Sequence, residues 1–217
     1  MKEKTNTSSI RYKIIAAIIL FVISLTLFSV IADEVVLENE DWFDSRVFAF
    51  FHNHSSPLII KLFNFFTFFG SLPFLLPAYG ILISFLLYQN RKSDALDVGI
   101  LGLTSGALLF GLKMFFARKR PDSPIFGELN TYSFPSAHTL LSFVFFSVLT
   151  WEVWQSNIPT KWKYFLSIVC VLVSLLVGIS RIVLRYHYAS DVVGALSLGL
   201  AYVLLFFGLQ KWLRKNK

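Results

Sequence analysis

Long apolar runs separated by short polar stretches dominate the hydropathy pattern of this 217-residue chain. A helix that crosses a bilayer needs about 20 mostly apolar residues, because the hydrocarbon core is about 30 Å thick. The pattern therefore predicts an all-α, polytopic membrane protein in which six transmembrane helices form a bundle. The six runs are residues 13–32, 71–89, 94–117, 136–154, 162–183 and 188–212.

The segment between the first two runs has a different pattern. Residues 33–44 form an acidic loop with six carboxylates, and residues 42–69 mix aromatic and aliphatic residues with His52 and Lys61. Aromatic anchors in such a mixture are typical of helices that lie in the membrane interface. We therefore predict one or two interfacial helices between the first and second spans. The first run exceeds the roughly 7–15 residues of a signal-peptide core, which favours a retained helix over a cleaved signal.

Composition supports a membrane protein, since 55% of the residues are hydrophobic and only 15% are charged. An average soluble domain has about 25% charged residues and could not bury so much apolar surface. No polar linker divides the chain, so we expect a single membrane-embedded domain over residues 1–217, with its core motifs at 113–191. Cys170 is the only cysteine, which excludes a disulfide or a cysteine-rich metal cluster within the chain.

The net charge of +7 is distributed as expected for membrane topology and an anionic substrate, not for nucleic acid. Six spans place both termini on one side of the membrane. If that side is cytoplasmic, as in a bacterial cytoplasmic membrane, most basic residues are inside and the polar motifs described below face outside. The inside positions are Lys2, Lys4, Arg11, Lys13, Arg91, Lys92, Lys161, Lys163, Lys211, Arg214, Lys215 and Lys217.

Three polar islands interrupt the apolar pattern, at residues 113–121, 134–138 and 180–191, and all lie at span ends on the same predicted face. Ionisable residues at membrane depth are costly, so three such islands together indicate a functional site.

Cations in two of these islands suit a phosphate group. Lys113 and Arg120 are seven residues apart, so a continuing helix would place them on one face. Arg181 adds a third positive charge, and guanidinium groups bind phosphate oxygens in a bidentate fork. The middle island places an N-cap and free amides at the start of the fourth span, which is a natural anion site. Those residues are Ser136, Ala137 and His138.

Two histidines and one aspartate supply the chemistry of phosphate transfer. His187 and Asp191 are four residues apart and would share a helical face. A carboxylate that holds one imidazole nitrogen leaves the other free to attack phosphorus. His138 can then protonate the leaving alkoxide and activate water. Asp122, Glu128 and Asp191 are too dispersed for a two-metal phosphatase, so we expect neither a metal nor another cofactor.

Simpler interpretations exist for each residue taken alone. Lys113 could snorkel at a helix end, Asp191 could cap the last helix, and His187 could be an interfacial polar residue. These interpretations do not explain why three polar islands share one face. We expect the remaining basic residues of the islands to be rim charges, namely Arg118, Lys119 and Arg185.

The three islands resemble the motifs of the type 2 phosphatidic acid phosphatase family, also called the lipid phosphate phosphatase superfamily. The family pattern is K-x6-RP, then PSGH, then SR-x5-H-x3-D. In this chain the corresponding residues are Lys113-x6-Arg120-Pro121, Pro135-Ser136-Ala137-His138 and Ser180-Arg181-x5-His187-x3-Asp191.

The resemblance implies a helical membrane fold and metal-independent hydrolysis of lipid phosphate monoesters or diphosphates. It implies His187 as nucleophile, Asp191 as its orienting partner and His138 as acid and base. Ala137 stands where the pattern usually has Gly, and we expect it in the first helical turn, where no positive φ is needed. The phosphate-binding residues implied are Lys113, Arg120, Ser136, Ala137 and Arg181.

Size and topology are similar to those of the bacterial undecaprenyl-diphosphate phosphatases and phosphatidylglycerophosphatases of this family. The preferred hypothesis is thus a lipid phosphatase embedded in the bilayer. A phosphotransferase that passes the phosphoryl group to a lipid or sugar acceptor, and a non-catalytic protein that binds or moves lipid phosphates, are the alternatives. The sequence leaves open which lipid is the substrate and which oligomeric state the protein adopts.

Overall fold

Most of the predicted acidic loop at 33–44 lies outside the residues that the computed structural model describes, and so does Glu128. The described residues are 2–33, 41–122, 124–127 and 129–215.

Eight α-helices form nearly all of the described chain. Six apolar stretches are long enough to cross a bilayer, and each contains one of the long helices. The prediction of an all-α integral membrane protein with six spans is therefore confirmed. The helices are α1 (Lys2–Val30), α2 (Trp42–His54), α3 (Pro57–Phe68), α4 (Leu72–Tyr88), α5 (Lys92–Phe116), α6 (Ala137–Gln155), α7 (Thr160–Val183) and α8 (Ala189–Lys215).

Two short helices, α2 and α3, separate α1 from α4, as the sequence predicts, and the second apolar stretch, Pro57–Tyr88, contains α3 as well as α4. They have 13 and 12 residues, which gives lengths of about 18–20 Å, well short of the hydrocarbon core. Pro57 occupies the first turn of α3, and the Ser56 hydroxyl accepts a hydrogen bond from the Ile59 amide at 3.4 Å. Both helices pack against α7, so they stand beside the end of the bundle that carries the motifs.

The loop between α5 and α6 is anchored by Phe134, which is fully buried. Its ring stacks on Phe28 of α1 at 5.7 Å and meets Phe116 of α5 edge-on at 5.0 Å. Gly194 of α8 makes room for it, since a Cβ there would lie 2.7 Å from the ring. The loop is thereby fixed across the motif end of the bundle.

An ion-pair network marks the opposite end of the bundle. Arg91 contacts Asp94 and Glu152 at 2.7 Å each, and Arg214 near the end of α8 contacts Asp94 at 2.6 Å. The last residues of the α1 span pack near Gly194 at the start of α8, so α1 and α8 run in opposite directions. The start of α1 and the end of α8 therefore share the end that lies away from the motifs.

Candidate active site

The three motifs meet where α5 and α7 end and where α6 and α8 begin. Arg120 from the first motif lies 3.1 Å from the His187 ring of the third. The Ser136 amide of the second motif donates to the Asp191 carbonyl at 3.2 Å. Residues that are 67 and 55 positions apart in the sequence thus come together at one site.

Arg120 lies at this site on a loop, whereas the sequence predicted that it lies on a helix. A continuous helix through Lys113 and Arg120 was expected, but α5 ends at Phe116 and Ala117 has a left-handed φ of 46°. The left-handed residue ends the helix by closing a hydrogen bond from its amide to the Lys113 carbonyl. Arg120 therefore comes from the loop and not from the helix face.

His187 and Asp191 form the predicted pair, although they do not share a helix. Helix α8 begins at Ala189, so His187 precedes it. The His187 Nδ1 atom lies 3.2 Å from Asp191 Oδ2, and this same oxygen accepts the Tyr188 amide at 3.0 Å. Asp191 therefore orients the imidazole and also caps the helix, which combines two interpretations that the sequence left separate.

The protonation state of His187 suits a nucleophile. Burial lowers its pKa to about 3, and Arg120 and Arg181 act in the same direction against the opposing effect of Asp191. The ring is thus neutral near pH 7. Arginine can only donate, so the Nε2 atom next to Arg120 must be the acceptor and the proton must sit on Nδ1. That tautomer leaves the Nε2 lone pair available for attack.

Arg120 is held by several oxygens besides its contact with His187. Its Nε donates to the Thr131 carbonyl at 2.7 Å, and Nη1 donates to the Tyr186 carbonyl at 2.7 Å. Burial lowers the pKa of Arg120, but a guanidinium stays protonated at any physiological pH. A phosphate oxygen entering between Arg120 and His187 would meet a positive charge directly beside the reactive nitrogen.

Arg181 is almost fully buried, and one of its hydrogen-bond donors has no partner among the described residues. Its Nη1 donates to the Thr67 hydroxyl at 2.6 Å, and its guanidinium stacks on the Tyr186 ring at 4.4 Å. Its Nε finds no acceptor among the described residues. A buried donor without a partner costs about 1–3 kcal/mol, and more when it is charged. An anionic ligand would remove this cost, as expected for a phosphate-binding residue.

The start of α6 departs in part from the prediction. Ser136 is the N-cap, but its side chain makes no capping bond and instead accepts from the Thr139 hydroxyl at 2.9 Å. Its amide donates to the Asp191 carbonyl, so Ser136 joins α6 to α8. Ala137 is the first helical residue and has no positive φ, as predicted. The amides of Ala137 and His138 lack intrahelical acceptors and remain available.

Lys113 and His138 complete the predicted set. The Lys113 ammonium, on the last turn of α5, donates to the carbonyls of Tyr132 and Ser133 at 2.5 and 3.2 Å. His138 is half-buried on the first turn of α6, within electrostatic range of Lys113, Arg120, Arg181 and His187. All eight predicted residues therefore lie around one end of the bundle.

Arg118 was predicted to be a rim charge, and this prediction is wrong. Its Nη1 donates to Asp191 Oδ1 at 2.6 Å and its Nη2 donates to Asp44 Oδ2 at 2.8 Å. Burial would lower the pKa of Arg118, but Asp191 and Asp44 outweigh it and the pKa is raised. Lys119 is exposed and Arg185 is half-buried.

Three further residues support the site and were not found from the sequence. Asp44 of α2 accepts the Ser190 amide at 2.8 Å as well as Arg118. The Ser133 hydroxyl donates to Asp191, and Thr67 of α3 holds Arg181. Asp44 and Thr67 lie on the short helices, far along the chain from any motif, and no local pattern distinguishes them.

Comparisons with known proteins agree with this geometry. The sequence model of the PAP2 superfamily matches residues 94–215. Phosphatidylglycerophosphatase B of Bacillus subtilis (strain 168) is 33% identical over 141 residues, which are 64% of this chain and 67% of that protein.

Two crystal structures are similar to this bundle. A transmembrane PAP2 type phosphatidylglycerolphosphate phosphatase from Bacillus subtilis has a TM-score of 0.76 and 26% identity, over 90% of this chain and 96% of that one. LpxE from Aquifex aeolicus shares the fold, with a TM-score of 0.57 and 24% identity over 75% and 93% of the two chains. With the three motifs assembled at one site, the chain is a lipid phosphatase and belongs to the PAP2 superfamily.

Proposed function

We propose that this protein hydrolyses a lipid phosphate monoester or diphosphate at the outer face of the bacterial cytoplasmic membrane, through a phosphohistidine on His187 and without a metal. One observation carries the proposal. A buried, neutral His187 is held through Nδ1 by Asp191 and presents Nε2 to Arg120. This arrangement combines a fixed nucleophile with a cation placed to bind the group that it attacks.

In the first step the Nε2 lone pair of His187 attacks phosphorus, and the bond from phosphorus to the lipid oxygen breaks. Once the negative charge of the bound phosphate balances the cations around it, His138 in its protonated form gives its proton to the departing lipid oxygen. The ring of His187 becomes positively charged, and the Asp191 carboxylate stabilises it through Nδ1. Negative charge on the equatorial phosphoryl oxygens is met by Lys113, Arg120 and Arg181.

In the second step a water molecule attacks the phosphohistidine. His138, now neutral, takes a proton from this water, so it returns to the state in which it began. The phosphorus–nitrogen bond breaks, its electron pair returns to Nε2, and inorganic phosphate leaves. The amides of Ala137 and His138 at the start of α6 stabilise the phosphoryl oxygens in both steps.

Topology supports the outer-face placement. The start of α1 and the end of α8 share the end of the bundle that lies opposite the site. With the basic residues counted above, the positive-inside rule places that end in the cytoplasm. The described site then lies at the outer interface, where a phosphate headgroup can enter from the membrane surface while the lipid tail stays in the bilayer.

The names of the relatives favour phosphatidylglycerophosphate as the substrate. Polyprenyl diphosphates offer the same terminal phosphate on an apolar tail, and they are the second candidate. Hydrolysis of phosphatidylglycerophosphate would leave phosphatidylglycerol in the membrane, hydrolysis of a polyprenyl diphosphate would leave the polyprenyl monophosphate, and each would release inorganic phosphate into water.

The mechanism is tested by trapping the intermediate. Purified protein in detergent is mixed with a radiolabelled lipid phosphate in excess chelator and quenched in alkali, in which phosphohistidine survives, or in acid, in which it does not. We expect alkali-stable label on the wild-type chain and none on His187→Ala. The His138→Ala variant should turn over slowly, most of all with poor leaving groups.

His54→Ala is the matched control, because His54 is an exposed histidine whose described contacts stay within its own helix, namely a hydrogen bond to the Phe50 carbonyl and stacking on the Phe50 ring. It should label and turn over like the wild type. Normal turnover by His187→Ala would end the proposed mechanism. Label that passes to an added alcohol and not to water would instead identify the protein as a phosphotransferase.

A further inference from the structure

A second polar cavity lies beside the site, with a volume of about 210 Å³. Arg120, Asn130, Arg185 and Tyr186 supply most of its polar groups, and Asp122 adds one carboxylate. Arg120 belongs to both places, since its Nη1 also contacts the Nε2 atom of His187. A molecule that reaches His187 with its terminal phosphate would therefore place its next atoms in or beside this cavity.

The size of the cavity decides which fragment it can take. Pockets that enclose a whole small-molecule ligand usually have about 300–1,000 Å³, and this one is smaller. Its polar groups are also unsuited to acyl chains. It therefore fits a polar headgroup fragment, and two guanidinium groups against one carboxylate favour an anionic fragment.

The backbone at Arg185 is held in an unusual conformation. Its φ is 61°, in the left-handed region, which is unfavourable for a residue with a Cβ. Hydrogen bonds fix this turn, from the Arg185 amide to the Ile182 carbonyl at 3.0 Å and from the Tyr186 amide to the Arg181 carbonyl at 3.0 Å. Strain of this kind is common at ligand sites.

Phe48 of α2 restrains the Arg185 side chain from one side. The guanidinium carbon lies 5.8 Å from the centre of the Phe48 ring, within the range of a cation–π contact. The contact leaves the edge of the guanidinium free for hydrogen bonds, because cation–π packing uses its face. Arg185 is thus a fixed cation at the cavity wall, separate from the three cations that surround the transferred phosphate.

We infer that this cavity binds a second phosphate, carried by the leaving group of the substrate, and that Arg185 is its main ligand. The inference rests on the proposed function, because it extends the substrate outward from the phosphate at His187. Two lipid classes have this chemistry: diphosphates, in which the two phosphates are joined directly, and lipids in which a glycerol unit separates a terminal phosphate from a phosphodiester. A lipid with a single phosphate leaves the cavity without an anion.

The test compares substrates in one set of vesicles. The kcat/KM values of wild type and Arg185→Gln are measured with phosphatidylglycerophosphate, a polyprenyl diphosphate and phosphatidic acid. For each two-phosphate lipid, the kcat/KM value is divided by that for phosphatidic acid. We expect this ratio to fall about tenfold in the variant for at least one of the two lipids, as for the loss of a charged hydrogen bond. The lipid with the larger fall identifies which of the two classes the cavity fits.

Lys119→Gln is the control, since it removes an exposed cation that lies outside the cavity, in the loop between α5 and α6, and its ratios should match the wild type. Arg185→Gly removes the side chain and also relieves the left-handed strain, so it should fold at least as well and lose the same selectivity. Equal losses on all three lipids, or no change in the ratios, would overturn the inference. If the wild type hydrolyses none of the three lipids, or if His187→Ala remains active, the proposed function is contradicted instead.

Discussion

Arg118 binds the carboxylate of Asp191 on the oxygen that His187 does not use. The Arg118 Nη1 atom lies 2.6 Å from Oδ1, and the His187 ring faces Oδ2. The two oxygens of one buried carboxylate therefore serve different partners. Arg118 holds Asp191 in place through Oδ1, which leaves Oδ2 for His187, the Ser133 hydroxyl and the Tyr188 amide.

Removing Arg118 should harm both stability and catalysis. In Arg118→Gln two buried carboxylates, Asp44 and Asp191, lose their cation, and breaking a buried pair typically costs about 3–5 kcal/mol. We expect a clearly lower unfolding temperature in detergent and a fall in kcat larger than any change in KM. Lys119→Gln is the neighbouring control. An unchanged unfolding temperature would contradict the structural role of Arg118.

Thr67 should act on phosphate binding through Arg181. Thr67→Val keeps the shape and removes the hydroxyl that accepts from Arg181 Nη1 at 2.6 Å. A hydrogen bond to a charged group contributes about 1.5–3 kcal/mol, so kcat/KM should fall about tenfold or more. Thr67→Ser should restore most of the activity.

The control for Thr67 is Thr150→Val, because the Thr150 hydroxyl donates only to the Phe146 carbonyl of its own helix, at 2.9 Å. Its kinetic constants should stay close to those of the wild type. If Thr67→Ser is as weak as Thr67→Val, the hydroxyl is not the group that positions Arg181.

Gly70 should control the position of His138. A Cβ at Gly70 would lie 2.5 Å from Val177 Cγ1 and 2.9 Å from the His138 carbonyl oxygen, which is too close for either to remain in place. Gly70→Ala should therefore shift the first turn of α6 and lower kcat, most strongly for poor leaving groups that need the acid. Gly80→Ala is the matched control, since a Cβ there meets nothing within 4 Å. Equal activity of both variants would show that Gly70 does not control the position of His138.

The depressed pKa of His187 should appear in the pH dependence of stability. Its pKa is about 3 in the folded protein and about 6.5 in an unfolded chain. Below pH 6.5 the unfolded chain binds the proton and the folded protein does not, so this group destabilises the fold increasingly as the pH falls from 6.5 toward 3.

Unfolding temperatures measured between pH 7.5 and 4.5 test this effect. The wild type should lose stability toward acid more steeply than His187→Gln, whose side chain does not titrate. Parallel curves for the two proteins would show that His187 is not held neutral by the fold.

The spans were predictable because each one rests on a local property, a long apolar run. The predicted run at residues 71–89 and the observed helix Leu72–Tyr88 differ by one residue at each end. Arg120 shows the limit of this approach. Its spacing from Lys113 correctly indicated a shared site, but the left-handed Ala117 could not be read from a sequence that continues with helix-compatible residues.

Asp44, Thr67 and Arg118 were beyond prediction for a different reason. Each acts through a partner that is distant in sequence, as in the contact from Arg118 to Asp44, and hydropathy alone does not specify such pairs. Arg118 in particular is one of three consecutive basic residues, and only the fold distinguishes the buried one from its exposed neighbour Lys119.

The two short helices extend the working enzyme beyond the segment by which the family is recognised. The PAP2 superfamily match covers residues 94–215, whereas Asp44 and Thr67 precede it. A fragment that began at α5 would retain every signature residue and yet leave Arg118 and Arg181 without these neighbours. Homologues that lack counterparts of α2 and α3 must therefore anchor those two arginines by other means, and grafting the signature segment alone onto a new scaffold should yield a poor catalyst.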